Sequence, residues 1–358
     1  MGFLATQLRQ AFRRLARAPM FTIVTLLTLG IGIGANAAIF SVVNGILLKP
    51  LPYPQSDRLV SAMHTAPGFK IDNLQAAPST YFIYREQGKT FEDIGIYQND
   101  SVAVTGLAEP EQVPAIDVTD GVLPILGIPP LVGRTFTRAD DSPGSPDTVV
   151  LTYGYWMRKF GGDKSVIGKT LNVDGQIRQV IGVMPREFRF LDRTDLAMIL
   201  PLKLDRAKTV LGNFSYEGIA RLKPGVTLEQ ASADVARMIP IAIRSFPPPP
   251  GMSLKIFDES KMGPRIRPLK DEVVGDVGKV LWVLMGGIGL VLLIACANAA
   301  NLLLVRAEGR QHEFAIRSAL GASRARLAGE MLGEGLVVAF LGGGIGLGLA
   351  YGDRKSVV

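Results

Sequence analysis

The chain carries one cysteine, two histidines and two tryptophans. A single thiol, Cys296, excludes an internal disulfide and any thiolate cluster for a metal. His64 and His312 lie far apart, and neither has a partner at metal-ligand spacing. Each reads as a surface or packed residue. A Ser/His/Asp triad in the long central part would rest on His64 alone, and no serine there sits in a nucleophile-elbow pattern. The carboxylate pairs Asp140-Asp141 and Asp271-Glu272 are adjacent in polar stretches and read as solvated surface. No catalytic constellation, cofactor site or metal site is expected.

An excess of charge is also missing over most of the length. Between Leu48 and Asp276 the basic and acidic residues number 27 each. The formal surplus of +7 comes from the other residues, 12 basic against 5 acidic. Ten of those basic residues precede Met20 or lie between Lys279 and Arg326, beside apolar runs. That is the positive-inside pattern of membrane proteins. Nucleic-acid binding needs a basic stripe with aromatics on a folded surface, so no nucleic-acid partner is expected.

What is present in quantity is apolar: 47% of residues, against 20% charged. Three runs stand out: Met20–Leu48, Val277–Leu304 and Ala328–Tyr351, the last with Glu330 and Glu334 in its opening turns. Each exceeds the ~20 helical residues that cross a ~30 Å hydrocarbon core. The first run has the anatomy of a signal peptide, with Arg9, Arg13, Arg14 and Arg17 before it and "ANA" at Ala35–Ala37. It continues past that site, however, and the preceding "FLATQLRQAFRRLAR" is an amphipathic helix in its own right, so an uncleaved span is expected. Arg13-Arg14 alone is a weak twin-arginine signal.

Basic flanks fix the expected orientation. Residues 1–19 lie in the cytoplasm and 20–48 cross outward. Residues 49–276 form an extracytoplasmic domain, with an inserted lobe at about Val113–Leu211. The chain returns over 277–304, and 305–327 form a cytoplasmic loop. It crosses again over 328–351 and ends in a 352–358 tail. Glycines four apart, Gly30 with Gly34 and Gly342 with Gly346, let helices approach closely in lipid. The overlapping pair Gly344 and Gly348 has the same spacing, and generic glycine tolerance in membrane helices explains either equally well. Asn298 and Asn301 share a helix face and are expected to hydrogen-bond to a neighbouring helix.

Strand and helix signals mix in the outer segment, which reads as α+β. "KTLNVDGQIRQVIGVM" alternates around Asp174-Gly175, a hairpin signal. "TLEQASADVARMIPIAI" opens with Thr227 and Gln230 in capping-box spacing. "GGDKSVIGKT" imitates a phosphate-binding loop but fails it. Five positions before Gly168 stands Asp163, not glycine, and a strand pattern follows where a helix is required.

The stretch "EFAIRSALGAS", from Glu313 to Ser323, is a short two-faced helix in the basic loop. Glu313 and Arg317 pair at i,i+4, Ile316 and Leu320 share another face, and Gly321 stops the helix. Such a helix either lies on membrane lipid headgroups or fits a groove on a soluble partner. The surrounding "ANAANLLLVRAEGRQHEFAIRSALGASRARL" resembles the signature of the MacB/FtsX-like permeases of ABC transporters. "PLPYPQSDRLV", "FGGDKSVIGKTLNVDGQIRQVIGVMPREFRF" and "ARLKPGVTLEQA" resemble the outer core domain of the same family.

That resemblance implies a bacterial inner-membrane permease subunit, itself non-catalytic. Its partners would be a separate cytoplasmic ABC ATPase, a second permease unit and, where present, a periplasmic adaptor. The coupling helix carried over is Glu313–Ala322, with Phe314, Ile316, Ala319 and Leu320 as apolar contacts beside Glu313 and Arg317. The family transmits motion to the outer domain, which here implies export or extraction of a hydrophobic compound, peptide or lipoprotein. A fourth membrane helix is also implied. The chain stops after the third at "GDRKSVV", which reads as truncation. The rival reading is a membrane-anchored sensor or ligand-binding module.

Overall fold

Prolines bracket the first apolar run in the computed structural model, which describes residues 13, 15–16, 18–107, 109–275, 277–320 and 324–356. Helix α1 spans Pro19–Val43, with Pro19 in its first turn, where a missing N–H costs no hydrogen bond. A π-turn over Asn44–Leu48 closes it. Lys49 is then extended, as the residue before a proline must be. The expected N-terminal amphipathic helix lies almost wholly outside the described residues.

The chain divides into two units: Met1–Lys49 with Val274–Val358, and Pro50–Val273. The second holds strands β1 (Leu59–Ala66), β2 (Ile71–Leu74), β3 (Phe91–Thr105), β4 (Glu111–Val118), β5 (Val132–Gly133) and β6 (Thr148–Leu151). Strands β7 (Thr170–Val173), β8 (Gln176–Val183), β9 (Met198–Pro201), β10 (Glu217–Leu222) and β11 (Gly263–Pro268) complete its sheet. Its helices are α2 (Pro78–Gln87), α3 (Val122–Leu126), α4 (Tyr153–Phe160), α5 (Leu228–Ser245), α6 (Lys255–Glu259) and α7 (Leu269–Val274). The sheet order is β11-β1-β10-β3-β4-β9-β6-β8-β5, with β2 on β1 and β7 joining β3 to β8. The β4–β9 and β6–β8 pairs are parallel and the rest antiparallel, so the α+β reading holds.

Local chemistry explains several elements. The β7–β8 hairpin turns at Asp174 and Gly175, with φ of 51° and 78°. Two left-handed residues in succession give the turn whose twist matches the flanking strands. Helix α5 starts in a reciprocal capping box between Thr227 and Gln230. In the false phosphate loop, Asp163 Oδ1 accepts from Ser165 N at 2.8 Å and closes a one-turn 3₁₀ helix over Lys164–Val166. Strand β7 follows, so no helix N-terminus faces that loop.

Three large core clusters and a smaller one, with Tyr81, Ile96 and Tyr216, line the sheet. Helices α2 and α5 cover one with Tyr84, Val235 and Met238, and α4 covers another with Tyr155 and Trp156. The cluster between them includes Tyr53, Ile116, Leu126 and Leu269. Strand β3 contributes Phe91 and Ile94 to the first, Tyr97 to the middle one, and Val102 and Val104 to the last. His64 is fully buried, its Nε2 2.7 Å from the Tyr84 hydroxyl, and burial pushes its imidazole down to about 4. It is a packed core residue.

Asp140 and Asp141 correct the expectation of solvated surface. Asp140 accepts from Arg134 at 2.6 and 2.9 Å and from Thr137 N at 2.8 Å, and it is 8% exposed. The Arg134 guanidinium holds its carboxyl well below the usual carboxylate range. Asp141 accepts from Asp120 N and Lys203 N at 2.9 and 2.7 Å, while burial pushes its carboxyl up to about 6. Adjacent acids here brace a loop by filling backbone donors.

Burial also pushes Asp117 up to about 6, against a hydrogen bond from Gln98 Nε2 at 2.9 Å. A carboxyl raised on folding favours the folded state when protonated, and that contribution is lost as pH rises through 6. Asp117→Asn keeps an acceptor for Gln98 and removes the charge. It should stabilise the chain at pH 7 by about 1–3 kcal/mol. The gain should shrink toward pH 4, read from denaturation midpoints of both proteins across that range. A gain that does not vary with pH would rule out this cause.

After α7 come α8 (Val277–Glu308), α9 (Gln311–Ala319) and α10 (Arg324–Ser356). Helices α1 and α8 are long and apolar enough to span a bilayer. Helix α10 is the weaker span. It is continuous, but its apolar stretch is Gly335–Gly348, short of the ~20 residues a hydrocarbon core needs.

Candidate functional site

The segment between α8 and α10 is built around a tight turn. Gly309 N donates to Val305 O at 3.1 Å and Arg310 N to Ala307 O at 3.1 Å. These bonds end α8, and α9 begins at once with Gln311. The helix therefore starts two residues before the expected Glu313. It ends at Ala319, and Leu320 N donates to Ile316 O at 3.0 Å. Ile316 is 62% exposed and Leu320 82%, and Ala319 is also exposed. An i,i+4 apolar pair thus stands in the open on this helix. The side chains of Glu313, Phe314 and Arg317, and Gly321 altogether, lie outside the described residues.

Helix contacts in the same unit rest on glycine. A Cβ at Gly346 would stand 2.7 Å from Gly30 O and 2.9 Å from Gly34 N, and one at Gly34 would stand 3.1 Å from Gly346 O. A Cβ at Gly342 would lie 2.9 Å from Leu29 Cβ. The structure thus brings Gly30, Gly34, Gly342 and Gly346 together at the α1–α10 crossing. Gly344 and Gly348 face open space. Backbones can come this close only where neither helix carries a side chain at the crossing.

Asn298 and Asn301 are exposed on α8. The amide that bridges helices is Asn36, whose Nδ2 donates to Gly32 O at 2.9 Å and to Ile288 O of α8 at 3.1 Å. Sequence reading missed it because Asn36 sits inside "ANA", which drew attention as a cleavage site.

The outer unit has a second arrangement of interest, where the chain comes in after α1 and leaves toward α8. Leu51 and Tyr53 on the way in, and Leu269 and Val273 on the way out, pack in one core cluster. Tyr53 Oη donates to Arg189 O and accepts from Leu191 N, both at 2.8 Å. Arg221, 7% exposed on β10, donates to Pro54 O at 3.0 Å, Gln55 O at 3.2 Å and Ile125 O at 2.6 Å. No motif announces a buried arginine in "EGIARL".

Comparison with known proteins covers both units. Residues 22–238 match the MacB-like periplasmic core domain, and residues 285–356 match the FtsX-like permease C-terminal model. Over 363 residues the chain is 24% identical to the uncharacterized ABC transporter permease YknZ of Bacillus subtilis (strain 168), covering 99% of this chain and 87% of that one. It is 28% identical over 190 residues to the macrolide export ATP-binding/permease protein MacB of Rhodopseudomonas palustris (strain BisB18). That alignment takes in 52% of this chain and 27% of that protein. Among solved structures, the periplasmic region of MacB from Actinobacillus actinomycetemcomitans aligns with a TM-score of 0.43 at 14% identity, over 64% of this chain and 92% of that one. The extracellular domain of YknZ aligns with a TM-score of 0.37 at 15% identity, over 50% and 91%. The sequence matches carry the assignment: the chain belongs to the family of ABC transporter permeases with a MacB-like periplasmic core domain and an FtsX-like permease C-terminal segment.

Proposed function

We propose that this permease subunit couples ATP hydrolysis by a separate cytoplasmic ABC ATPase to motion of its outer domain. In this reading the N-terminus is cytoplasmic and residues 49–276 are extracytoplasmic, with the lobe at about Val113–Leu211 as the inserted part. The observation that carries the reading is the exposed apolar pair Ile316 and Leu320 on a helix joined to α8 by a two-residue turn. A short hydrogen-bonded turn passes displacement on, where a slack loop would absorb it. At the other end, both crossings of the chain into the outer domain pack in one core cluster. Movement of either α1 or α8 therefore acts on the same block of side chains. A second permease unit, and an adaptor where the envelope has one, would complete the transporter. The cargo we favour is a hydrophobic compound, peptide or lipoprotein, and the direction is export or extraction.

The experiment is retention of an ATPase. The full chain, immobilised in detergent, should capture a cytoplasmic ABC ATPase subunit from the same organism. Leu320→Asp should weaken capture about 30-fold, since burying an aspartate in an apolar groove costs roughly 2 kcal/mol or more. Capture of a kinase in place of an ATPase would make the chain a membrane-anchored sensor, and undiminished binding by the aspartate variant would take α9 out of the contact.

A further inference from the structure

A cavity of about 420 Å³ opens on the outer unit between α2, the β5–β6 loop and the loop after β9. That volume is in the range of small-ligand sites. Phe82 and Leu204, both half-buried, form its apolar wall and pack against the cluster of Tyr81 and Ile96. Most of its charged groups are already paired. Arg85 grips Asp120 with both terminal nitrogens, Nη2 to Oδ2 at 2.8 Å, and also meets the Tyr81 hydroxyl. Arg206 donates to Glu86 at 2.6 and 3.0 Å. Both Asp141 oxygens accept from backbone N–H groups.

Two lining charges of opposite sign are left over. The Arg138 guanidinium has no hydrogen bond or ion pair among the described residues. Asp205 uses one carboxylate oxygen on Ala207 N at 2.9 Å, and the other reaches Lys208 at 3.7 Å, too long for a hydrogen bond. The fold fixes the two loops against each other. Asp141 Oδ1 accepts from Lys203 N at 2.7 Å, and Lys203 Nζ donates to Ser145 O and Asp147 Oδ1, both at 2.7 Å. Ser142 Oγ donates to the carbonyl of Arg138 at 2.6 Å. A lone anion at Arg138 would share the cavity with the Asp205 carboxylate, and a lone cation at Asp205 would share it with Arg138. A ligand carrying both signs answers both groups.

We propose that this cavity binds a short apolar peptide zwitterion, of dipeptide size. Its α-carboxylate sits on Arg138, its α-ammonium on Asp205, and its side chains on Phe82 and Leu204. A guanidinium suits the carboxylate end because its fork matches two oxygens. The other common zwitterion, a phospholipid headgroup, brings two acyl chains that a cavity of this volume has no room for. The assignment involves the outer unit alone, and it stands whether or not α9 engages an ATPase.

The test is calorimetric titration of the full chain, in nonionic detergent, with leucyl-leucine at millimolar concentration. Blocking the ammonium as N-acetyl-leucyl-leucine, or the carboxylate as leucyl-leucinamide, should each weaken binding about 10-fold, the loss expected of one charge-assisted hydrogen bond. Arg138→Gln should bring the free peptide down to the affinity of its amide. Asp205→Asn, which keeps an acceptor for Ala207 N, should bring it down to that of the acetylated form. Glycerophosphoethanolamine, a zwitterion without apolar side chains, should bind more weakly than leucyl-leucine. No binding of leucyl-leucine, or equal binding of its blocked forms, would overturn the proposal. So would tighter binding of glycerophosphoethanolamine, or end preferences that survive the two substitutions.

Discussion

Gly346→Val should separate α10 from α1, at a cost of about 3 kcal/mol, the upper part of the range for overpacking. The reason is geometric. Atoms within 3 Å of the new Cβ include Gly30 O and Gly34 N, which are backbone and have no rotamer to escape into. The helices themselves must move apart. Every other contact at that crossing then loosens, including Gly342 against Leu29. Gly344→Val is the matched control, because nothing lies within 4 Å of its added Cβ. Valine differs from glycine in intrinsic helix preference by less than ~1 kcal/mol, so propensity cannot produce the contrast. Unfolding of the two variants in mixed detergent, followed by circular dichroism, gives the comparison. Equal midpoints would show that the glycines are tolerated in this helix without being needed by it.

Arg221→Met should be the most damaging single change in the outer domain, at about 3–5 kcal/mol. Each buried carbonyl left without a donor costs about 1–3 kcal/mol, and three lose theirs here. Methionine matches the stem but donates nothing. The carbonyls of Pro54, Gln55 and Ile125 would then be left buried or forced to admit water. Ile125 O belongs to the last turn of α3, where backbone acceptors have no partner within the helix. Lysine would recover only part, because one ammonium cannot span three acceptors on two segments as a guanidinium fork does. Arg58 supports the same stretch through Leu222 O at 2.8 Å. Denaturant unfolding should therefore show Arg221→Met well below Arg221→Lys, and Arg221→Lys below the parent. Limited proteolysis should open first between Pro50 and Arg58. A methionine variant with the parent's midpoint would mean that water already shares these carbonyls.

Much of this was legible in the residues, and unevenly so. The Asp174-Gly175 turn and the Thr227–Gln230 box were readable because both motifs are local, complete within four residues. The first two membrane spans and the α9 helix were readable from hydrophobic runs and i,i+4 pairs, while the third run overstated the apolar length of α10. The glycine ladder was half readable. Two overlapping registers satisfy the same spacing, and only the approach of α1 separates Gly342 and Gly346 from Gly344 and Gly348. Asn36 and Arg221 were not readable. Each finds its acceptors on segments distant in sequence, and a polar residue in an apolar context gives no sign of which distant carbonyl it will meet. Asp140 and Asp141 misled for the opposite reason. Neighbouring acids ordinarily face water, and here the turn from Arg134 to Asp141 folds back to meet them.

Strand β3 carries a last implication. Its fifteen residues extend ~50 Å at the usual rise, and it lends side chains to all three large core clusters. Such a beam has no joint. Bending along it would break the β3–β4 ladder from Tyr97 to Val104. A molecule docking on this sheet would meet it in one fixed attitude, and any pliability needed for the encounter would have to belong to the visitor.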